Sequence, residues 1–110
     1  MLGIDVNETR MADFRFEGGV SDNLLDIASK LDAAVIVVLN ASQTEEVLFG
    51  DSALVANMSA GSVVIACATV PPEFARQMAA RCAEHGVHYL DAPISGGATK
   101  AAQGLSLIHI

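Results

Sequence analysis

The sequence is poor in positive charge, in cysteine and in long apolar runs. Six Lys and Arg stand against 13 Asp and Glu, so the formal net charge is −7. This balance argues against a nucleic-acid surface, which needs clustered basic residues. Cys67 and Cys82 lack CxxC spacing and the three histidines lack HExxH spacing, so we expect neither a metal site nor a disulfide framework. The longest apolar run, 33–39, is far too short to span a membrane.

The low cysteine content and the first residues of the chain indicate where in the cell the protein is found. Two isolated cysteines are typical of small buried residues in a reducing environment. The first residues also lack the basic segment and long apolar stretch of a signal peptide. We therefore expect a cytoplasmic protein with no membrane or nucleic-acid partner. With 110 residues, of which 52% are hydrophobic, the chain is long enough for one small domain with a core.

Predicted strands and helices alternate along the chain, which favours an α/β fold with a parallel sheet covered by helices on both faces. The apolar run 33–39 is typical of a strand buried on both faces. The sequence predicts strands over 1–6, 33–39, 62–67 and 87–90. It predicts helices over 8–16 and 21–30, two short ones within 42–49 and 52–58, and one that starts near Pro72 and ends before Gly86.

Helix ends carry recognisable signals. Ser42 and Glu45 have the spacing of a capping box, which places a helix start at Ser42. Pro72 near the first helical position, with Glu73 in the first turn, predicts the start of the later helix. Gly86 stands where a glycine commonly follows a helix end.

The most informative segment follows the last predicted strand and reads Asp-Ala-Pro-Ile-Ser-Gly-Gly over 91–97. It places a hydroxyl and unhindered backbone N–H groups at the carboxyl end of a strand, where open α/β sheets bind ligands. Glycines let a small anion approach the backbone. The alternative is an ordinary turn from strand to loop, since glycine-rich turns are common.

This segment, continued through Ala98, Lys100, Gln103 and Gly104, resembles the substrate-binding signature of the 3-hydroxyisobutyrate dehydrogenase family, or β-hydroxyacid dehydrogenases. The resemblance extends from Met1 to Gly104 and is greatest to the L-threonate dehydrogenase branch. It implies a partial Rossmann-like domain that starts at the second strand. It also implies hydride transfer from a small 3-hydroxy acid or sugar acid to NAD. Family members commonly form homo-oligomers through a further helical domain.

The resemblance implies that Ser95, Gly96 and Gly97 bind the carboxylate of the substrate and orient its hydroxyl carbon toward nicotinamide. The catalytic lysine of the family lies further along than Gly104, so no catalytic residue is assigned in this chain. Lys100 is expected to be a solvent-facing helix residue.

Asp5 ends the first predicted strand. An acid at the end of the second strand of an NAD-binding fold accepts hydrogen bonds from the adenine ribose and repels a 2′-phosphate, so Asp5 favours NAD over NADP. The alternative is a turn-forming aspartate. Arg10 can accommodate a phosphate, which leaves NADP open as the cofactor.

By the same resemblance, Leu39 and Asn40 lie near the ribose and nicotinamide side of the cofactor, and Thr69 contacts it near nicotinamide. Leu39 stands where the family usually has proline, and Ala68 where serine is commoner. The alternatives are that Asn40 caps the next helix and that Thr69 is a helix-entry residue. The first alternative is compatible with a cofactor role.

Both ends of the chain depart from the complete pattern. No G-x-G-x-x-G turn is present. In the strand order 3-2-1-4-5-6 the first strand lies between the second and the fourth, so its absence would leave a gap in the sheet. We expect a fragment, inactive alone, with a partial NAD-binding domain over 1–104. The apolar end 105–110 departs from the family pattern and is expected to be a non-native tail, so His109 is given no role.

Other functions stay open at this point. One is a non-catalytic nucleotide-binding module, and another is a small domain for protein interaction, against which the Ser-Gly-Gly signature argues. Within the enzymes, the nearest rivals are a tartronate semialdehyde reductase and a 6-phosphogluconate-type dehydrogenase. These would favour a basic residue or Asn-Arg at positions 5–7, where this chain has Asp-Val-Asn.

Overall fold

The computed structural model describes residues 3–5, 7–16, 27–51 and 53–94. The helices are α1 (Glu8–Phe16), α2 (Ala41–Phe49), α3 (Leu54–Asn57) and α4 (Pro72–Ala83), and the strands are β1 (Ala33–Ile36), β2 (Val63–Ala66) and β3 (His88–Asp91). The strands form one parallel sheet in the order β1-β2-β3. The predicted Rossmann-like class with a parallel sheet is confirmed. Ile27 and Ala28 have helical backbone and a turn follows, which agrees with the end of the helix predicted over 21–30.

The ends of α4 follow the sequence signals. Pro71 is the N-cap and Pro72 the first helical residue, with Glu73 in the first turn. After the helix Gly86 adopts φ +72°, where a Cβ would also approach the Cβ of Ala60 to 3.0 Å. Glycine therefore meets both the backbone and the packing requirement at this position.

The start of α2 differs from the prediction. Asn40 is the N-cap, and its side chain accepts a hydrogen bond from the Gln43 N–H. The prediction that a Ser42–Glu45 capping box starts the helix is therefore wrong. Asn40 caps the helix two residues earlier, which leaves Ser42 inside the first turn. The alternative role of Asn40 as a helix cap is confirmed. Gly50 ends α2, as predicted.

The strand predicted over 1–6 is not formed at Gly3, Ile4 and Asp5, which have no regular secondary structure. A strand needs a neighbour for its backbone groups. In the doubly wound order the second strand pairs with the first, and no described strand takes that place. Asp5 therefore follows irregular backbone rather than a strand.

Strand β1 is shorter than the predicted 33–39 and is covered on one face only among the described residues. Ala34 and Ile36 are buried, whereas Val35 is 60% and Val37 67% exposed. The difference arises because the described helices that contribute to the core pack on the Ala34 side. The expectation of burial on both faces is met on that side alone.

The core lies between this face of the sheet and helices α2, α3 and α4. Leu48, Val55, Val64 and Cys82 are completely buried. The core cluster consists of Ala28, Ala34, Ile36, Leu48, Leu54, Val55, Met58, Val64, Cys82 and Val87. No helix in the described part of the chain is long and apolar enough to cross a membrane.

Two ionisable side chains in the packing between sheet and helices, Cys82 on α4 and Tyr89 on β3, make the stability of the fold depend on pH. Burial raises the pKa of Cys82 to about 11 from an ordinary value of 9.0, although nearby Arg81 lowers it in part. Burial, with added repulsion from Asp91 and Cys82, raises the pKa of Tyr89 to about 12 from 10.0. The Tyr89 hydroxyl is buried without a hydrogen-bond partner among the described residues. Folding therefore favours both groups in their neutral form.

We expect the chain to lose stability in alkali. Both folded-state pKa values are raised, so the contribution is complete below pH 9.0 and is lost as pH rises through about 11 and about 12. The ratio of folded to unfolded chain should fall roughly tenfold or more, since one pKa unit corresponds to a factor of ten. Urea unfolding at several pH values measures it. Tyr89→Phe should remove the later part of the loss, and an identical pH slope in this variant would contradict the assignment to Tyr89.

Candidate functional site

The carboxyl ends of the three strands meet at one edge of the sheet. Ile36, Ala66 and Asp91 are in register across it. Past the strands, the Cys67 N–H donates to the Ile36 carbonyl at 3.0 Å, and the Ala92 N–H donates to the Ala66 carbonyl at 2.9 Å. The segments that follow the strands therefore leave the sheet side by side. This is the edge at which open parallel sheets bind ligands.

The segment after β1 is a tightly bonded turn at Leu39 and Asn40. The Asn40 Oδ1 accepts the Gln43 N–H at 2.9 Å, and the Gln43 Oε1 accepts the Leu39 N–H at 2.8 Å. Buried Thr44 adds two bonds to the Asn40 carbonyl, from its N–H at 3.1 Å and from its hydroxyl at 3.0 Å. The Leu39 side chain is 84% exposed. The turn therefore presents exposed side chains on a fixed backbone.

The segment after β2 carries Cys67, Ala68 and Thr69. Ala68 is buried, and Thr69 is exposed two residues before the Pro71 cap of α4. Since Pro71 takes the cap position, Thr69 does not cap this helix. Burial raises the pKa of the Cys67 thiol. It is therefore neutral at physiological pH and is not a thiolate nucleophile.

Asp5 lies in an open cleft at the start of α1, lined by Gly3, Ile4, Asp5, Arg10 and Met11. Its Oδ1 accepts the Asn7 N–H at 2.8 Å, and the Asn7 side chain in turn accepts the Arg10 N–H at 3.0 Å. Among the described residues its second oxygen makes no hydrogen bond. The exposed carboxylate is thus fixed in orientation and keeps an acceptor for a ligand.

The structure brings the predicted residues together in part. Leu39, Asn40 and Thr69 follow neighbouring strands at the same edge, whereas Asp5 belongs to the cleft at α1. Ser95, Gly96 and Gly97 lie outside the described residues, but Ile94, which precedes them, is described in the segment after β3. Sequence reasoning missed Gln43. The spacing of Asn40 and Gln43, three residues apart, is a signal that was there to find it.

In the described ranges, no three His, Cys, Asp or Glu side chains come together in a way that could hold a metal ion. The groups at the edge are instead hydroxyl, amide and backbone groups, with one neutral thiol and the single carboxylate of Asp91. Such groups bind and orient an organic ligand through hydrogen bonds.

A parallel sheet with polar turns at its carboxyl edge is typical of Rossmann-type nucleotide-binding domains. The family model described as the NAD-binding domain of 6-phosphogluconate dehydrogenase matches residues 1–109, and the chain belongs to this family.

Curated relatives and a solved structure agree with this assignment. The chain is 40% identical to L-threonate dehydrogenase of Escherichia coli over 104 residues, which cover 93% of the chain and 34% of that protein. It is 51% identical to L-threonate dehydrogenase of Cupriavidus necator over 79 residues, which cover 72% of the chain and 27% of that protein. The crystal structure of 3-hydroxyisobutyrate dehydrogenase from Salmonella typhimurium superimposes with a TM-score of 0.83 at 38% identity. That match covers 94% of this chain and 36% of the other. The chain thus spans about a third or less of the length of these relatives.

Proposed function

We propose that this chain is the cofactor-binding part of an NAD-dependent hydroxyacid dehydrogenase that oxidises an L-threonate-like sugar acid. The observation that carries the proposal is the shared edge, where turns after β1 and β2 lie beside the start of the 91–97 segment. The division into a domain over 1–104 and a tail over 105–110 is part of the proposal. The full activity then belongs to a longer protein, since the relatives are about three times as long.

The described residues fit NAD in two ways. The exposed Asp5 carboxylate keeps an acceptor for the ribose hydroxyls and repels a 2′-phosphate. Leu39, Asn40 and Thr69 are exposed at the edge, where their backbone and side chains can hold the ribose and nicotinamide side. NAD, when bound, supplies the acceptor for the hydride. The protein residues hold it at the edge and limit its approach to one orientation.

Ser95, Gly96 and Gly97 are proposed to bind the substrate carboxylate through a hydroxyl and backbone N–H groups. Their place after β3 would set the substrate beside the Thr69 turn. Such positioning contributes several kcal/mol toward the barrier. With NAD bound, the hydroxyl-bearing carbon would lose a hydride to the cofactor, and the hydroxyl proton would go to a base. No residue of this chain is proposed as that base.

The similarity to L-threonate dehydrogenases supports the choice of substrate class. They match at 40% identity over 93% of the chain and at 51% over 72%, whereas an NAD-dependent L-serine dehydrogenase of Pseudomonas aeruginosa matches at 44% over 64%. A small 3-hydroxy acid or sugar acid of the L-threonate kind is therefore the proposed substrate. A cytoplasmic location is part of the proposal and is supported by the free thiols of Cys67 and Cys82. Assembly into a homo-oligomer through a further helical domain is likewise proposed.

A chimera tests the function. The matching segment of the E. coli L-threonate dehydrogenase is replaced by residues 1–104 of this chain, and NADH formation from L-threonate is followed. We expect turnover with NAD. In the chimera, Ser95→Ala should raise the KM for L-threonate about tenfold or more, since a hydrogen bond to a charged group is lost, and should leave the KM for NAD unchanged.

The matched control is Ser29→Ala, an exposed serine in the turn before β1, at the other end of the strand from the proposed site. It should change neither KM. A folded chimera that binds NAD without turnover would favour the non-catalytic nucleotide-binding module. A folded chimera that neither binds NAD nor turns over would contradict the proposal. The unmodified 110-residue chain is expected to form no NADH, and turnover by it alone would contradict the proposed division of the activity.

A further inference from the structure

The side chain of Gln43 ties the end of β1 to the start of α2. The side-chain Oε1 accepts the Leu39 N–H at 2.8 Å, while the backbone N–H of Gln43 donates to the Asn40 Oδ1 at 2.9 Å. The two bonds run in opposite directions across the turn. They resemble a capping box, except that the returning side chain reaches the residue before the N-cap.

The bonds from Thr44 do not replace those of Gln43. At the described turn, both bonds from Thr44 go to the Asn40 carbonyl, so Thr44 fixes the second residue of the turn and not the first. Among the described residues, Gln43 alone holds the Leu39 N–H. Gln43 is itself exposed, so its side chain is held by the bond from the Leu39 N–H rather than by packing in the core.

We propose that Gln43 is a positioning residue for the cofactor, which holds Leu39 and Asn40 in the conformation that NAD meets. This inference rests on the proposed function of the turn. Gln43 acts through the backbone and need not touch the cofactor. A neutral amide suits this role, because it accepts the Leu39 N–H without placing a negative charge near a dinucleotide that carries two phosphates.

The first test uses the 110-residue chain and does not depend on its function. Gln43→Met keeps the size of the side chain but removes the acceptor, whereas Gln43→Glu keeps an acceptor. Hydrogen exchange of the Leu39 amide, followed by NMR, should become several-fold faster in Gln43→Met and stay slow in Gln43→Glu. Gln77→Met is the matched control, since Gln77 is an exposed glutamine on α4. It should leave this exchange unchanged, and equal rates in the Gln43→Met and Gln77→Met variants would overturn the inference.

The second test measures kinetics in the chimera with E. coli L-threonate dehydrogenase. Gln43→Met should raise the KM for NAD roughly threefold to tenfold with kcat nearly unchanged, because a neutral hydrogen bond that supports cofactor binding is lost. Gln43→Glu should restore part of the affinity, and Gln77→Met should have no effect. A purely structural role would lower the active fraction, and hence kcat, without raising the KM.

The outcomes separate this inference from the proposed function. If the parent chimera turns over with NAD but Gln43→Met leaves the KM for NAD unchanged, the positioning role is wrong and the proposed function stands. If the folded parent chimera shows neither NAD binding nor turnover, the proposed function fails, and the positioning role fails with it.

Discussion

Replacing Leu48 by alanine is expected to lower the free energy of unfolding by about 2–5 kcal/mol. Leu48 is completely buried on α2, in the cluster that joins this helix to the sheet. The substitution removes three carbon atoms and leaves a cavity that the surrounding side chains fill only in part. Since domains of this size are stable by about 5–15 kcal/mol, a large share of the stability would be lost. Urea unfolding of the 110-residue chain and of the variant measures the difference.

Val37→Ala is the control for Leu48→Ala. Val37 is an apolar residue just after β1, but its side chain is 67% exposed, so little apolar surface is returned to water. Its effect should stay within about 0.5 kcal/mol. Equal losses in the two variants would mean that the sheet face bearing Val35 and Val37 is covered in the folded chain. The core would then not be concentrated on the Ala34 side.

The parts of the fold that depend on residues adjacent along the chain were predictable from sequence. Pro72, Glu73 and Gly86 mark the two ends of α4 because capping and backbone conformation are local properties. The alternation of apolar strands with helices likewise predicted the parallel sheet. The order β1-β2-β3 then follows from short connections through helices.

The wrong strand predictions concern segments whose structure depends on a pairing strand far away along the chain. Residues 1–6 were predicted as a strand, but residues 3–5 have no regular secondary structure, since a strand forms only beside a neighbour. Strand β1 ends at Ile36 because its pairing with β2 ends there, although apolar residues continue to Leu39. The capping box was misplaced for a different reason. Ser42 and Asn40 both begin a valid capping pattern, but Asn40 has the extended backbone of an N-cap and the helix begins directly after it.

The candidate site was predictable in outline for the same topological reason. Parallel strands bring their carboxyl ends to one edge, so Asn40 and Thr69 had to come near each other although 29 positions separate them along the sequence. The support of the turn by Gln43 was not predicted: the spacing of Asn40 and Gln43 indicates a cap, but not that the Gln43 side chain folds back as far as Leu39. The strand predicted at Asp5 is wrong, but the alternative of a turn-forming aspartate is confirmed, because its Oδ1 accepts the N–H of Asn7 two residues further on.

Asp5→Asn is expected to change the choice of cofactor in the chimera with E. coli L-threonate dehydrogenase. Asparagine keeps the Oδ1 that accepts the Asn7 N–H at 2.8 Å, so the local backbone is retained while the negative charge is lost. The KM for NAD should rise by about tenfold to a hundredfold, since hydrogen bonds from the ribose to a charged acceptor are worth roughly 1.5–3 kcal/mol. The KM for NADP should fall, because the 2′-phosphate no longer meets a carboxylate. Steady-state kinetics with both cofactors measures the two changes.

We expect Arg10 to determine how far the cofactor preference of Asp5→Asn shifts from NAD toward NADP. It lines the same cleft as Asp5, and with the carboxylate neutralised its guanidinium is the nearby group suited to a phosphate. Adding Arg10→Ala to Asp5→Asn should therefore remove the gain with NADP but leave the loss with NAD. Asp13→Asn, an exposed acid on the same helix, controls for the overall change in charge and should alter neither KM. If Asp5→Asn matches this control, the cleft at α1 does not hold the adenine ribose, and cofactor binding must rest on other residues.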